Sequence, residues 1–366
     1  MIEKVIAFLK REVRSRRQKK ALQRIWDDTL KYCELKPLSE SQVQAIQAEW
    51  GGQIKEKISP RWHQLLYSMT GVFTPKYEPF EICTAVQNKF SPIEVQRTFD
   101  DKNLYRGLLS SFNIPIRVAE CVKGVYYLPE TNGMVEVSKD AYLKALGNMT
   151  NCILKPASGS DGGRGVISFD TKDGMVISSN ETIKEFITNY TKKFGNNYCI
   201  ERKIEECDNL SRLNPSSCNT LRIHTFRNRE EGKCKFISAY VRIGKKGNVV
   251  DNAHSGGLCA RIYKDGVLKE AKTVYPYRIY KETESGVLLD GYRIDNYDDI
   301  VETVLKAHSS LPMFDLMGWD VAVDKNGKVI IIEFNPNPDI RMEQCIFNDS
   351  CLLDKQEEII KLVFNN

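Results

Sequence analysis

The pattern that most restricts the fold of this chain is a strongly apolar run that ends in a carboxylate and an amide. It reads Val329-Ile330-Ile331-Ile332-Glu333-Phe334-Asn335, and its β-branched residues favour a strand. The preceding segment Leu316–Val323 is also strand-like, and the turn residues Asp324-Lys325-Asn326-Gly327 separate the two. The sequence therefore predicts an antiparallel hairpin whose second strand is largely buried.

Two carboxylates and an amide oxygen share one face of this predicted hairpin. Asp320 can lie opposite Glu333, and Asn335 follows Glu333 by two residues, so both project on the same side. Hard oxygen ligands of this kind suit Mg²⁺ held together with phosphates. The alternative is a surface hairpin with solvated acids. It is less favoured because Glu333 closes a strand that should be buried, where an unpaired charge is costly.

A glycine-rich loop follows another predicted strand, Cys152–Pro156. The loop runs to Gly165 and contains four glycines, which let backbone N–H groups approach an anion such as a polyphosphate. Lys155 and Arg164 would add positive charge. The loop matches neither the P-loop nor the dinucleotide-binding pattern, because no Gly-Lys-Ser/Thr follows and no helix opens there. A flexible hairpin tip is the alternative.

Two further segments are candidates for contacts with a substrate. Arg222 alternates with apolar residues in a predicted strand, where it either points into a cleft and neutralises phosphate charge or points outward. A loop before residue 258 crowds polar groups beside a tight turn, and Arg341 is a further candidate. His254 in that loop is either a substrate contact or a solvated residue. The candidate substrate-binding residues are Asn252, His254, Ser255, Gly256, Gly257 and Arg341.

Charge and cysteine content exclude several classes of protein. The net charge of the chain is +5, but residues 1–25 hold nine Lys and Arg and two Glu, so the rest is nearly neutral and a nucleic-acid-binding body is not indicated. Eleven cysteines without a Cys-x-x-Cys pair favour neither a disulfide framework nor a zinc ribbon, which indicates a cytoplasmic protein. Residues 2–26 predict a basic amphipathic helix, either docked on the protein's own core or resting on an anionic membrane surface.

Taken in order, these segments resemble the ATP-grasp superfamily, and most closely its sugar-transfer-associated family, which is linked to polysaccharide biosynthesis. The resemblance runs from about Phe90 to Pro338. It rests on Asp101-Lys102-Asn103-Leu104, the Lys155-Pro156 loop, Ile200-Glu201-Arg202-Lys203-Ile204, Leu213-Asn214-Pro215-Ser216-Ser217 with Asn219-Thr220-Leu221-Arg222, Asp251-Asn252 with Gly256-Gly257, and Asp320 with Glu333 and Asn335.

The resemblance implies an ATP-grasp fold of the α+β class, with two subdomains clasping ATP behind a mainly helical N-terminal region. The implied divisions are a basic helical region over 1–70, a linker and pre-grasp segment over 71–124, a nucleotide-clasping subdomain over 125–204 and a catalytic, metal-binding subdomain over 205–366. ATP and Mg²⁺, as two ions, are the implied cofactors.

The resemblance also implies roles for individual residues. Lys102 and Lys155 contact nucleotide phosphates, and a loop closes over them: Ser158, Gly159, Gly162, Gly163, Arg164 and Gly165. Glu201, Arg202 and Lys203 form the hinge that reads the adenine, and Asp208 contacts the ribose. Arg222, Arg242 and Lys155 act on the transferring phosphate. Asp320, Glu333 and Asn335 match the Mg²⁺ ligands. One departure is Gly318, where some ligases of this fold have an arginine.

The function that the resemblance implies is an ATP-dependent carboxylate–amine ligase that forms an amide through an acyl phosphate, with a small-molecule or saccharide substrate. A kinase that phosphorylates a sugar or lipid hydroxyl is the alternative, because only the acceptor differs. A non-catalytic scaffold led by residues 1–26 is a third possibility, disfavoured by the presence of Asp320, Glu333 and Asn335. Residues 1–26 are the candidate segment for peripheral contact at the inner face of a membrane.

Overall fold

The computed structural model of the 366-residue chain describes residues 20–53, 58–92, 96, 99, 101–159, 163–247 and 256–364. The chain forms two compact units. The terminal unit consists of Met1–Pro92, Lys272–Ile279 and Asp339–Asn366, and the central unit of Ile93–Ala271 and Tyr280–Pro338. Of the basic helix predicted over residues 2–26, residues 1–19 lie outside the described residues, and the chain is helical over 20–29.

The terminal unit is built mainly from helices. They are Glu40–Trp50, Arg61–Thr70, Phe80–Phe90, Gln344–Phe347 and Gln356–Phe364, with a 3-10 turn at Leu353–Lys355. Ser39 begins the first of these helices with a capping box, in which its hydroxyl and the Gln42 side chain satisfy each other's backbone N–H groups. Large side chains such as Trp50 and Trp62 are fully buried in this unit.

The first sheet of the central unit is antiparallel and has the strand order β3-β2-β1-β8-β4-β5. Its strands are β1 (Arg117–Val122), β2 (Val125–Glu130), β3 (Gly133–Val137), β4 (Cys152–Pro156), β5 (Ile167–Phe169) and β8 (Tyr198–Arg202). β6 (Thr171–Lys172) and β7 (Met175–Val176) form a separate ribbon. Helices Lys139–Ala145 and Ile183–Phe194 supply Tyr142, Ile187 and Tyr190 to a core on one face of this sheet, and a 3-10 turn covers Leu146–Asn148.

A second antiparallel sheet of the central unit has the order β11-β10-β9-β14-β15. Its strands are β9 (Thr220–Asn228), β10 (Lys233–Ile243), β11 (Leu258–Ile262), β14 (Leu316–Val323) and β15 (Val329–Asn335). The remaining strands of the chain are β12 (Ala271–Thr273) and β13 (Arg278–Tyr280), and its remaining helices are Tyr105–Leu108, Asp208–Ser211 and Tyr297–Ser310. Ile300 and Val304 of the last helix pack with Ile223 and Trp319, so this face of the sheet is core and the opposite face carries the polar residues.

The predicted α+β class is confirmed by this mixture of helices and antiparallel sheets. The sequence predicts strands over Cys152–Pro156, Thr220–Asn228 and Leu316–Val323, and β4, β9 and β14 have these bounds. Other local predictions differ from the structure. The sequence predicts a helix that runs from Ser91 through Arg106, but the structure has a 3-10 turn at Lys102–Leu104, because Asp101 is extended and caps the turn. The sequence also predicts a strand over Gly165–Phe169, but β5 begins only at Ile167, since Gly165 has a φ of +80°. The four-part division at residues 70, 124 and 204 stays a prediction.

Candidate functional site

The second sheet of the central unit brings the predicted metal ligands and arginines onto one face. Asp320 on β14 lies directly opposite Glu333 on β15 and opposite Arg222 on β9. Directly opposed residues of antiparallel strands project on the same side, and Gly318 opposite Asn335 extends the row. The pairing that the sequence suggests for Asp320 and Glu333 is therefore present.

Asp320 is held between two guanidinium groups. Arg222 Nε lies 2.5 Å from Asp320 Oδ1, and Arg242 Nη2 lies 2.7 Å from Asp320 Oδ2. Arg242 also donates to the Thr220 hydroxyl from Nε and Nη2, at 3.0 and 2.9 Å. These charge-assisted hydrogen bonds fix both arginines beside the carboxylate.

The same contacts set the protonation state of Asp320, which is 8% exposed. Burial alone would raise the pKa of Asp320, but the charges of Arg222 and Arg242 and their hydrogen bonds outweigh it and hold the pKa well below its usual range. The carboxylate is therefore ionised throughout the neutral pH range.

Glu333 has a cation of its own. Lys102 Nζ lies 3.2 Å from Glu333 Oε1, with the lysine side chain buried and the glutamate 36% exposed. The backbone N–H of Lys102 donates to the Ala157 carbonyl at 2.8 Å, just after β4. The 3-10 turn thus places this predicted phosphate-binding lysine beside one predicted metal ligand and near the start of the glycine-rich loop.

Asn335 is the last residue of β15, just before a turn. Its Oδ1 accepts a hydrogen bond from the Asn337 backbone N–H at 2.8 Å, which closes an Asx turn through the Asn-Pro-Asn segment. An amide oxygen has two lone pairs, so this bond leaves one acceptor direction for a cation. The side chain is fixed and keeps the donor atom that a hard cation prefers.

Lys155 and Glu201 form a buried ion pair in the first sheet of the central unit. Lys155 Nζ lies 2.6 Å from Glu201 Oε2, and both side chains are less than a tenth exposed. Burial lowers the pKa of Lys155, but Glu201 more than offsets this and the pKa is raised overall, so the ammonium stays charged. The two residues predicted to contact the phosphates and the adenine therefore touch each other.

The glycine-rich loop is anchored at both described ends. Asn197 donates to Ser158 Oγ at 3.3 Å on one side, and the Tyr190 hydroxyl donates to the Gly165 carbonyl at 3.0 Å on the other. Gly159, Gly163 and Gly165 all have positive φ, which glycine adopts without strain. Arg164 follows Gly163 in a turn, and Gly162 lies outside the described residues.

The three residues of the predicted hinge, Glu201, Arg202 and Lys203, have different surroundings in the structure. Arg202 is paired with Cys152, and its guanidinium donates to the Thr150 carbonyl, on the face of the sheet opposite to Glu201. The Lys203 N–H donates to the Asn151 carbonyl at 2.6 Å. Lys203 and Ile204 line two clefts of about 400 and 240 Å³. Asp208 is exposed at the start of a one-turn helix.

The structure describes only some of the predicted substrate-binding residues. Asn252, His254 and Ser255 lie outside the described residues, whereas Gly256 has a φ of +83° in a turn before β11. Arg341 belongs to the terminal unit, where it pairs with Asp339 at 3.1 Å and lies over the Phe80 ring. All other described candidates belong to the central unit.

Gly318 has a structural reason to lack a side chain. A Cβ at this position would approach the Pro338 Cβ to 3.0 Å and the Arg222 Cδ to 3.5 Å. The stem of Arg222 therefore passes beside Gly318, on the face that an arginine at position 318 would need. This accounts for the departure noted in the sequence.

Sequence reasoning missed a set of buried charges next to Lys155 and Glu201. Arg117 and Glu120 on β1 are both less than a tenth exposed, and Arg117 Nη2 lies 3.2 Å from Glu201 Oε1. The signal was available, because these charged residues interrupt the apolar strand Arg117-Val118-Ala119-Glu120-Cys121-Val122. Charges in such a strand require partners.

Comparison with known proteins gives one family match. The family model for sugar-transfer associated ATP-grasp proteins matches residues 82–361, well over half of the chain. None of the curated protein sequences that were compared with this chain matches the chain. Among the described residues, no helix has both the length and the apolar composition needed to cross a membrane.

Several solved structures are similar to this chain at low identity. A biotin carboxylase in complex with β,γ-ATP from Campylobacter jejuni is 14% identical over 79% of this chain and 54% of its own, with a TM-score of 0.44. An L-amino acid ligase from Bacillus licheniformis is 14% identical over 77% and 50%, with a TM-score of 0.37. The ATP-grasp ligase PsnB, complexed with its minimal precursor, Mg and ADP, is 9% identical over 76% and 62%, with a TM-score of 0.39. The chain spans about half the length of the first structures it matches.

Proposed function

Because the chain belongs to the sugar-transfer associated ATP-grasp family, we propose that it is an ATP-dependent ligase that joins a carboxylate to an amine. The observation that carries the proposal is the row of charges on one sheet face, with Asp320 between Arg222 and Arg242 and Glu333 beside Lys102. Phosphoryl transfer needs carboxylates for a metal ion and cations for the developing phosphate charge, and this row supplies both.

The donor set of this face fits Mg²⁺. Glu333 is partly exposed with one recorded ion pair, Asn335 keeps an acceptor direction, and Asp320 is ionised at neutral pH. We propose these three residues as ligands of Mg²⁺, in a two-ion arrangement. Bound Mg²⁺ would neutralise phosphate charge during transfer.

We assign nucleotide binding to residues of the central unit. Lys102 and Lys155 are both ammonium groups in buried surroundings, and each has a carboxylate partner that an incoming phosphate can replace. The loop from Ser158 to Gly165 offers backbone N–H groups to the phosphates. Glu201 to Lys203 supply the adenine contacts, and Asp208 supplies the ribose contact.

The chemistry follows from the charge on the reacting groups. A carboxylate oxygen attacks the γ-phosphorus of ATP, ADP leaves, and an acyl phosphate forms. Arg222 and Arg242 stabilise the negative charge that develops on the transferred phosphoryl group. The amine then attacks the acyl carbon, inorganic phosphate leaves, and an amide results. Closure of the glycine-rich loop excludes water, which would hydrolyse the acyl phosphate.

The substrate class that we propose is a saccharide or polysaccharide precursor. A uronic acid would supply the carboxylate and an amino acid or amino sugar the amine, in capsule or other polysaccharide synthesis at the cytoplasmic side of the membrane. The family description supports this choice, because it links the fold to sugar transfer. Asn252, His254, Ser255, Gly256 and Gly257 are the proposed substrate contacts. Arg341, which belongs to the terminal unit, stays a prediction from the sequence.

The test is the fate of oxygen in the carboxylate. The chain is incubated with Mg-ATP and pairs drawn from uronic acids and amino acids, and ADP release identifies an active pair. That pair is then repeated with an ¹⁸O-labelled carboxylate. The proposal expects one ¹⁸O in the released phosphate and an amide product. A phosphorylated sugar with unlabelled phosphate groups, or no ADP release with any pair, would overturn it.

Two substitutions within the same hairpin give a matched comparison. Glu333→Gln removes a proposed metal ligand and is expected to lower kcat at least a hundredfold. Asp324→Asn changes an acid in the β14–β15 turn, whose Oδ1 caps the Asn326 and Lys328 N–H groups, and keeps that acceptor. Asp324→Asn should retain activity within about twofold. Equal activity of the two variants contradicts the assignment of Glu333.

A further inference from the structure

Arg117 is a buried arginine for which the proposed function has no role. It is the first residue of β1, and its side chain is 5% exposed. A guanidinium carries five N–H donors in a fixed plane, so it can join several segments at once. Arg117 forms hydrogen bonds or ion pairs with four residues, which lie in the Lys102 turn, in β1 and in β8.

On one side, Arg117 holds the segment that carries Lys102. Its Nη1 donates to Asn103 Oδ1 at 2.6 Å, and its Nη2 donates to the Lys102 carbonyl at 3.2 Å. The backbone of the 3-10 turn is therefore attached to β1 by the arginine. The position of the Lys102 ammonium beside Glu333 depends on this turn.

On the other side, Arg117 shares Glu201 with Lys155. Arg117 Nη2 lies 3.2 Å from Glu201 Oε1, while Lys155 Nζ lies 2.6 Å from Glu201 Oε2. Each oxygen of this buried carboxylate thus has its own cation. If Lys155 turns towards an anionic ligand, Glu201 still has Arg117 and is not left as a buried, unpaired charge, which would be costly.

The remaining contact completes a chain of alternating charges. Arg117 Nη1 lies 3.3 Å from Glu120 Oε2, and Arg106 Nη2 lies 2.8 Å from Glu120 Oε1. The three cations Lys155, Arg117 and Arg106 and the two carboxylates of Glu201 and Glu120 together carry one net positive charge. Such a cluster favours an anion in a region where solvent screening is weak.

We propose that Arg117 is a positioning residue that holds the Lys102 turn against the strand of Glu201, so that the ammonium groups of Lys102 and Lys155 meet one polyphosphate ligand. This inference rests on the proposed function in one respect, namely that the ligand is a nucleotide. Arg117 itself binds neither the nucleotide nor the metal.

The first measurement is the affinity of the full chain for Mg-AMPPNP by calorimetry. Arg117→Met keeps the length of the side chain and removes its charge and donors, and we expect the Kd to rise at least tenfold. Arg117→Lys keeps the charge beside Glu201 but has no planar fork to reach both segments, so we expect partial recovery. Arg227→Met is the control, because Arg227 donates to the carbonyls of His308 and Phe314 at the other end of β9. It should lower the thermal midpoint and leave the Kd within twofold.

The second measurement needs no nucleotide. Hydrogen exchange of the backbone amides at 102–104 reports the Lys102 turn, since the Lys102 N–H donates to the Ala157 carbonyl. Arg117→Met should accelerate this exchange at least tenfold, whereas Arg227→Met should not. Unchanged exchange, or an unchanged Kd in a folded Arg117→Met variant, overturns the role of Arg117. If the wild type fails to bind Mg-AMPPNP, the nucleotide assignment falls and the exchange result alone decides the role of Arg117.

Discussion

Asp320 illustrates how a single acidic residue of the candidate site is kept ionised. Two arginines from neighbouring strands surround it, and all three side chains are largely withdrawn from solvent. Removing a buried carboxylate leaves two guanidinium groups without their shared partner. The same residue therefore affects stability as well as the proposed chemistry.

Asp320→Asn is expected to lower stability in a pH-dependent way. The folded pKa of Asp320 lies below its unfolded value, so the ionised form stabilises the fold at every pH above the unfolded pKa of about 4 and loses this effect as the pH falls further. Breaking a buried pair costs about 3 kcal/mol. Thermal midpoints measured from pH 8 to pH 3 should show a constant gap between wild type and variant above pH 5 that narrows below pH 4. A gap that widens in acid contradicts this account.

For the individual residues of the site, the sequence predicts which side chains are polar but not all of their ion-pair partners. Counted from the short β14–β15 turn, Asp320 would lie opposite Ile332. A β-bulge next to Asp320 shifts it opposite Glu333, so the sequence allows this pairing but does not set it. The pairing of Asp320 with Arg222 and Arg242 depends on strands that are distant in the chain, and nothing local in the sequence sets their register. The charges of the Arg117 strand are visible in the sequence, but Glu201 as a partner of Arg117 lies on a distant strand and could not be predicted locally.

The C-terminal part of the helix Ile183–Phe194 packs against the end of the glycine-rich loop. The helix begins with a capping box of Thr182 and Glu185, and its last turn lies against the loop. A Cβ on Gly165 would lie 3.0 Å from Phe194 Cδ1 and 2.9 Å from the Pro156 Cγ. The end of the loop is therefore held between β4 and the C-terminal turn of the helix.

Two glycine substitutions test this arrangement. Gly165→Ala adds both the strain of a φ of +80° and the collision with Phe194, whereas Gly159→Ala adds only the strain of a φ of +64°, since nothing lies within 4 Å. The strain alone costs about 1–2 kcal/mol. The thermal midpoint of Gly165→Ala should therefore fall by several degrees more than that of Gly159→Ala. Equal midpoints would show that the helix yields to the new methyl group.

The sequence predicts elements well where the apolar pattern is strong and poorly where glycine or short turns dominate. β4, β9 and β14 match their predicted bounds because alternating or continuous apolar residues define them. The sequence predicts a strand that begins at Gly165, although the structure has a turn over residues 163–165. Positive φ at glycine is a property of the surrounding packing, and no local pattern shows it.

At the scale of the whole molecule, both ends of the chain belong to one compact unit. Glu78, which precedes the helix Phe80–Phe90, accepts hydrogen bonds from the Ser350 hydroxyl, from the Cys351 N–H at 3.1 Å and from Gln356 Nε2 at 3.0 Å. Its own N–H donates to Gln344 Oε1 at 2.7 Å. Contacts across about 270 positions of sequence cannot be predicted from local patterns.

Glu78 should give this unit a pH-dependent stability. Burial raises the pKa of Glu78 from 4.5 to about 7, and the hydrogen bonds from Ser350, Cys351 and Gln356 offset this only in part. Because the folded pKa is the higher one, the stabilising effect is complete below pH 4.5 and is lost as the pH rises to about 7, a change of about 3 kcal/mol. His63, in the same unit, has a pKa lowered by burial to about 4 and titrates below this window.

The measurement is the thermal midpoint of the full chain between pH 5 and pH 8. For the wild type we expect a fall from pH 5 to about pH 7 that levels off towards pH 8. Glu78→Gln should flatten the slope because its amide does not titrate. Glu357→Gln changes an exposed glutamate in the helix Gln356–Phe364 and should keep the wild-type slope. A Glu78→Gln variant with the wild-type slope would show that Glu78 is ionised in the fold at every pH tested. The hydrogen bonds from Ser350, Cys351 and Gln356 would then outweigh burial.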